Sequence, residues 1–212
     1  MIDWTDITTY GDVTITSLAA AVIAAWLFIE DEKRLAFLWG FLFAAGMGIV
    51  VATKMAFIGW GIGIRAIDFT GFSGHAMRSA AVLPVLFYLI LQRTRFIVRS
   101  GGVVFGFACA AMIGISRIVL HTHSTSEVVA GLLLGAAVSL SFIHIAYTSL
   151  SKHVFKPLRI AISVLALLPA PYVHPAPTQQ WLTVLTLYVS GHDHPYPRAD
   201  WKAEKRRPPE AY

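Results

Sequence analysis

The chain has 212 residues, 56% of them hydrophobic and 14% charged, and its mean hydropathy is positive at +0.64. Those proportions exclude a disordered chain and an ordinary soluble domain, and the repeated long apolar runs belong to a membrane protein. The formal charge is +5, but most Lys and Arg sit in short connectors between apolar runs, so the basic balance speaks for anionic lipid head groups and against nucleic acid.

Residues 1–12 carry Asp3, Asp6 and Asp12 and no Lys or Arg, the reverse of the basic start of a cleavable signal. A bilayer span takes about 20 apolar residues, and six segments approach that: 13–29, 35–53, 76–91, 101–118, 127–149 and 158–173. If all six cross, the connectors holding Lys33 and Arg34, then Arg93, Arg95 and Arg99, then Lys152, Lys156 and Arg159 share one side. An excess of basic residues in short loops marks the cytoplasmic side, which leaves 54–75 and 117–126 on the outer face. Cys109 is the only cysteine, so no intramolecular disulfide exists. Residues 178–190 are too short to span, and Trp181 and Tyr188 suit an interfacial helix. The expected architecture is an all-α polytopic membrane helix bundle of about six transmembrane segments with an interfacial C-terminal helix. Residues 1–190 form one domain, and 191–212 read as a polar, Pro-containing tail.

Three stretches on the expected outer face carry chemistry. Lys54 ends the second segment, Gly71-Phe72-Ser73-Gly74-His75 leads into the third, and Ser116-Arg117…His123…Glu127 joins the fourth to the fifth. Ionisable groups beside hydrocarbon are costly unless they are paired, wetted or used. Phosphoryl transfer through a histidine needs fixed cations and backbone amides for the phosphate oxygens. It also needs one imidazole to attack, a second to protonate the leaving oxygen, and an acceptor behind the nucleophile. Arg117 offers a permanently charged fork, Ser73 and Gly74 sit where a helix begins, and Glu127 follows His123 at the neighbouring spacing of a helix.

These residues resemble the type 2 phosphatidic acid phosphatase superfamily, whose three blocks read K-x6-R-P, P-S-G-H and S-R-x5-H-x3-D. The third block matches in spacing, with Glu127 for Asp, and the second matches in three of four places, with Phe72 for Pro. In the first block only Lys54 stands; Gly61 occupies the place of the Arg, for which Arg65 and Arg78 are substitutes. The resemblance covers about residues 50–150. It implies His123 as nucleophile, His75 as general acid and Glu127 as the group that orients His123. Arg117, Lys54, Ser73, Gly74 and Ser116 would bind the phosphate, with no metal and no cofactor. The implied substrate is a phosphorylated lipid or polyprenyl diphosphate, and a bacterial inner membrane with the site facing the periplasm is the expected location.

Other readings use the same residues. Ser124 and Glu127 also form a capping box, and Arg117 and Lys54 suit snorkelling or anchoring at the interface. Arg65 and Arg78 read as head-group contacts, Asp68 and His121 as solvated loop residues, and the second S-G-H at 190–192 as chance. Gly71-Phe72-Ser73-Gly74 fits the G-x-S-G of rhomboid-like serine proteases, but the candidate base His144 falls at the opposite face. His121 and His123 with Glu127 or His75 suit zinc. A non-catalytic lipid-phosphate binder or transporter is the third class, motivated by Glu127 and the eroded first block.

Overall fold

The apolar runs form helices whose ends are set by small polar groups and glycines. A computed structural model describes residues 3–149 and 177–198. Asp3 opens α1 (Trp4–Thr9) by accepting the Thr5 amide, and Asp12 opens α2 (Val13–Ile29) by accepting the Thr14 amide at 2.8 Å. The acidic start of the chain is thus two N-caps in succession. After α3 (Lys33–Trp60) come a single 3-10 turn at Arg65–Ile67, α4 (Gly74–Ile90), α5 (Phe96–Val119), α6 (Thr125–Ser149) and α7 (Thr178–Ser190). Among the described residues there is no strand, only one isolated bridge, Ile64 to Phe69.

Two expected boundaries move. The second segment was expected to stop at 53 because hydropathy lapses at Thr53 and Lys54. Yet the helix runs on through Gly59 and stops only at Gly61, which adopts a left-handed φ of +68° and donates its amide to the Phe57 carbonyl. Lys54 therefore lies inside α3. The fourth segment begins at Phe96 and not at 101, with Arg99 set over the rings of Tyr88 and Tyr147 at 5.3 and 5.5 Å. The expected sixth span, 158–173, and the end of the tail, 199–212, lie outside the described residues.

Helices α3, α5 and α6 are long and apolar enough to cross a membrane, and α2 and α4 are shorter apolar helices. Large apolar side chains such as Phe37, Phe41, Val104 and Leu133 point outward, as a lipid-facing surface requires. The all-α membrane bundle is the architecture found.

At its centre is α4, buried along most of its length and packed between α5 and α6. Glycines permit that approach. A Cβ at Gly131 would stand 2.6 Å from the Ser73 carbonyl oxygen, one at Gly135 2.2 Å from that of Met77, and one at Gly106 2.8 Å from Pro84. Small residues are what let membrane helices touch backbone to backbone. On the other flank α2 and α3 close over Trp39, which is buried against Phe142 and donates its indole N–H to the Ala20 carbonyl at 2.9 Å. Because α3 and α5 run opposite to α4 and α6, the end of α3, the start of α4, the end of α5 and the start of α6 all meet at one end of the bundle.

Candidate active site

That shared end holds a cavity of about 490 Å³, walled by Lys54 from α3, Gly74, His75 and Arg78 from α4, Arg117 from α5, and His123 and Glu127 at the start of α6. Thr70, Thr122, Thr178, Gln179 and Arg198 complete its polar lining. Three arginines and a lysine thus face a single carboxylate, and that carboxylate is already engaged.

Glu127 is 1% exposed and takes donors on both oxygens. Its Oε1 accepts the Thr70 amide at 3.0 Å and the Thr70 hydroxyl, while its Oε2 accepts the Ser124 amide at 3.2 Å and lies 2.6 Å from His123 Nδ1. A carboxylate can only accept, so Nδ1 carries the proton and Nε2 holds the lone pair. The capping box is present too, with the Glu127 amide donating to Ser124 Oγ at 3.3 Å; capping and orienting are one arrangement. His123 is placed by the end of α5, where the Arg117 carbonyl accepts the amides of Thr122 and His123 and the Thr122 hydroxyl. His121, at φ +54°, makes that turn and stays exposed. Burial, together with the cations of Lys54 and Arg117, holds the His123 imidazole below its ordinary pKa against the upward pull of Glu127. The imidazole is therefore neutral near pH 7.

The cations are held from the N-terminal side. Arg117 donates from Nη1 to Thr8 Oγ1 at 2.9 Å, and its buried Nε has no partner among the described residues. Arg78 is 7% exposed, with Nε on Thr16 Oγ1 at 3.0 Å and Nη2 on the Gly11 carbonyl at 3.1 Å. Its Nη1 lies over Gly74, where a Cβ would come within 2.8 Å. Lys54 donates to Gln179 Oε1 at 3.2 Å, tying α3 to α7. Phe72, where the resemblance has Pro, stacks edge-on against Phe69 at 5.4 Å.

Six of the eight residues expected at the site therefore line one cavity: His123, His75, Glu127, Arg117, Gly74 and Lys54. Ser73 and Ser116 do not. Ser73 is fully buried with its hydroxyl unpartnered, and Ser116 is fully buried and donates to the Ile113 carbonyl at 2.6 Å. Arg78 stands in the cavity and Arg65 does not line it, so of the two substitutes for the missing arginine only Arg78 reaches the site. Thr70, Gln179 and Arg198 were not singled out, since nothing local marks them. Asp68, read as solvated, is gripped by Arg198 at 2.8–2.9 Å.

His144 lines a different cavity, of about 640 Å³, with Tyr88, Arg99 and Tyr147 at the opposite end of the bundle, so Ser73 and His144 do not meet. Among the described residues no three His, Cys, Asp or Glu side chains converge as a metal site.

A family model described as PAP2 superfamily matches residues 68–151, the stretch from the loop before α4 through α6. The chain is similar to an uncharacterized 22.5 kDa protein in the cps region of Klebsiella pneumoniae, 40% identical over 207 residues, which are 93% of this chain and 97% of that protein. It is also similar to phosphatidylglycerophosphatase B of Bacillus subtilis (strain 168), 35% identical over 65 residues, 30% of this chain and 32% of that protein. No solved structure gives a significant match.

Proposed function

The chain belongs to the PAP2 superfamily, and from that premise we propose that it is a metal-independent lipid phosphatase working through a phosphohistidine on the outer side of a bacterial inner membrane. Membership supports phosphatase activity on phosphate esters. The observation that carries the finer reading is the 2.6 Å contact of His123 Nδ1 with Glu127 inside a cavity lined by Lys54, Arg78, Arg117 and Arg198.

The phosphate seats against Arg117, Lys54, Arg78 and the first amides of α4, which are free because no turn precedes them. His123 Nε2 forms a bond to phosphorus as the ester P–O bond breaks, and His75, which takes up a proton once the bound phosphate offsets the charges of Arg117 and Arg78, gives that proton to the leaving oxygen. His75 then takes a proton from water, whose oxygen displaces the histidine from phosphorus and releases phosphate. Glu127 holds the imidazole in the attacking tautomer and stabilises the charge it gains. The Glu-for-Asp substitution had motivated a non-catalytic binder, but Glu127 reaches His123 at hydrogen-bonding distance, which favours catalysis.

An anionic, lipid-linked phosphate suits a cationic cavity at the end of apolar helices. Lys33, Arg34, Arg93, Arg95 and Arg99 gather at the opposite end, which supports a site facing the periplasm. The name of the Bacillus relative adds phosphatidylglycerophosphate to the substrates worth testing. The deciding experiment measures phosphate release with EDTA present from phosphatidic acid, phosphatidylglycerophosphate, a lipid A phosphate and undecaprenyl pyrophosphate. It compares the wild type with His123→Ala. Release by the wild type alone is expected; equal release by both discards the mechanism, and release abolished by EDTA favours zinc.

A further inference from the structure

We propose that residues 191–198 form an arm that returns to the cavity and that its Arg198 is a positioning residue for His123, acting through Asp68, Thr70 and Glu127. The arm is anchored three times on the end of α3. His192 Nδ1 lies 2.7 Å from the Gly59 carbonyl, the Tyr196 amide donates to the Ile58 carbonyl at 2.8 Å, and the Tyr196 ring packs edge-on to Phe57. That ring also covers Gly61, where a Cβ would stand 2.8 Å from it.

Arg198 then grips the loop before α4. Its Nε and Nη2 hold the two Asp68 carboxylate oxygens at 2.9 and 2.8 Å, and Nη2 also donates to the Asp68 carbonyl at 2.8 Å. Asp68 has a left-handed φ of +53°, a conformation an aspartate adopts at a cost unless something holds it. Two residues on, Thr70 donates its amide and hydroxyl to Glu127 Oε1, and Arg198 Nη1 stands 3.5 Å from the same oxygen. The other Glu127 oxygen holds His123. Arg198 spends its Nε and both Nη groups on carboxylates and a carbonyl, unlike Arg117, whose Nε is unpartnered. That commitment makes it a brace for the histidine and not a ligand of phosphate.

The inference rests on the phosphohistidine reading, and its test separates the two. The groups facing His123 are Glu127 from α6, Arg117 from α5, Lys54 from α3, His75 from α4 and, behind Glu127, Arg198. With phosphatidic acid in detergent micelles, Arg198→Ala is expected to lower kcat about 10–100-fold, the range for partners that hold a site residue from behind, with KM unchanged. Asp68→Ala should do the same, and the double variant should be no worse than either single, because the pair acts as one unit. Loss of the cation should also move the acid limb of kcat/KM to higher pH. The reaction of His123 with diethyl pyrocarbonate, followed by peptide mass, should shift likewise. Arg198→Lys keeps the charge without the fork and should lose part of the effect; it carries the test if the alanine variant does not fold. A raised KM at constant kcat, additive losses, or an unmoved kcat and pyrocarbonate titration overturns the inference. A wild type that releases phosphate from none of the four lipids named above overturns the catalytic reading instead, and the pyrocarbonate titration still decides whether the arm acts on His123.

Discussion

Glu127→Gln changes one atom's chemistry and almost none of the shape, so it isolates what the carboxylate does. Glu127 receives His123 Nδ1 and the Ser124 amide on one oxygen and two Thr70 donors on the other. An amide has one accepting oxygen, so one side must face an NH2 group. Turned towards Thr70, the NH2 strands the Thr70 backbone amide. Turned towards His123, it strands the Ser124 amide and forces Nδ1 to accept, which moves the imidazole proton to Nε2 and removes the attacking lone pair. Either way one buried backbone donor is lost, at about 1–3 kcal/mol, so the inactive tautomer is not disfavoured by that count. Losing the charge-assisted bond behind the histidine costs about 1.5–3 kcal/mol, roughly 10–10²-fold in rate. The same carboxylate-to-amide change behind the histidine of a serine protease triad lowers kcat by about 10⁴, which sets the upper end. Glu127→Gln is therefore expected to lower kcat by about 10-fold at least and about 10⁴-fold at most, while KM stays within about threefold, because the phosphate ligands are untouched. Steady-state phosphate release from phosphatidic acid in micelles measures both. A kcat close to wild type, or a loss confined to KM, would refute the assignment of Glu127 as the group that orients His123.

An alkaline rapid quench of the detergent-solubilised wild type should trap an alkali-stable, acid-labile phosphoenzyme, and His123→Ala should show neither that species nor measurable turnover. His123 is held below its ordinary pKa by burial and by Lys54 and Arg117, so its neutral form persists below pH 6.5; kcat/KM should hold through that value and fall only at more acid pH, and an acid limb above pH 6.5 contradicts the environment described. Gly135→Ala places a methyl group 2.2 Å from the Met77 carbonyl oxygen and 2.7 Å from Ala80, so α4 and α6 must part at a cost of about 1–3 kcal/mol. Thermal unfolding in detergent should show a lowered midpoint, and an unchanged one would mean the two helices are not in backbone contact there.

What could be read from the sequence was what is local. His123 and Glu127 are one helical turn apart and share a cap, so their spacing alone brings the ring to the carboxylate. The apolar runs named the helices because hydrocarbon tolerates few other backbones. Contacts across the chain left no such mark. Arg78 enters the site because Gly74 has no side chain to block it and because Thr16 and Gly11 receive its guanidinium. Neither reason is visible in a single stretch. Arg198 meets Asp68 across 130 residues, and its segment has the composition of an ordinary polar tail. Helix ends were misjudged where hydropathy was used in place of backbone chemistry: α3 runs on past Lys54 until a glycine stops it.

Gly131 and Gly135 seat α6 on the backbone of α4, and Gly106 seats α5 on its proline. The framework that carries His75, Arg117 and His123 has no slack to be tuned by side-chain size. Adaptation to a bulkier or smaller head group must then come from the other wall, where Lys54 and Gln179 meet across α3 and α7 through flexible side chains. An engineer seeking to retarget the enzyme should randomise Thr178 and Gln179 on that wall and leave Lys54 and the glycine seams alone.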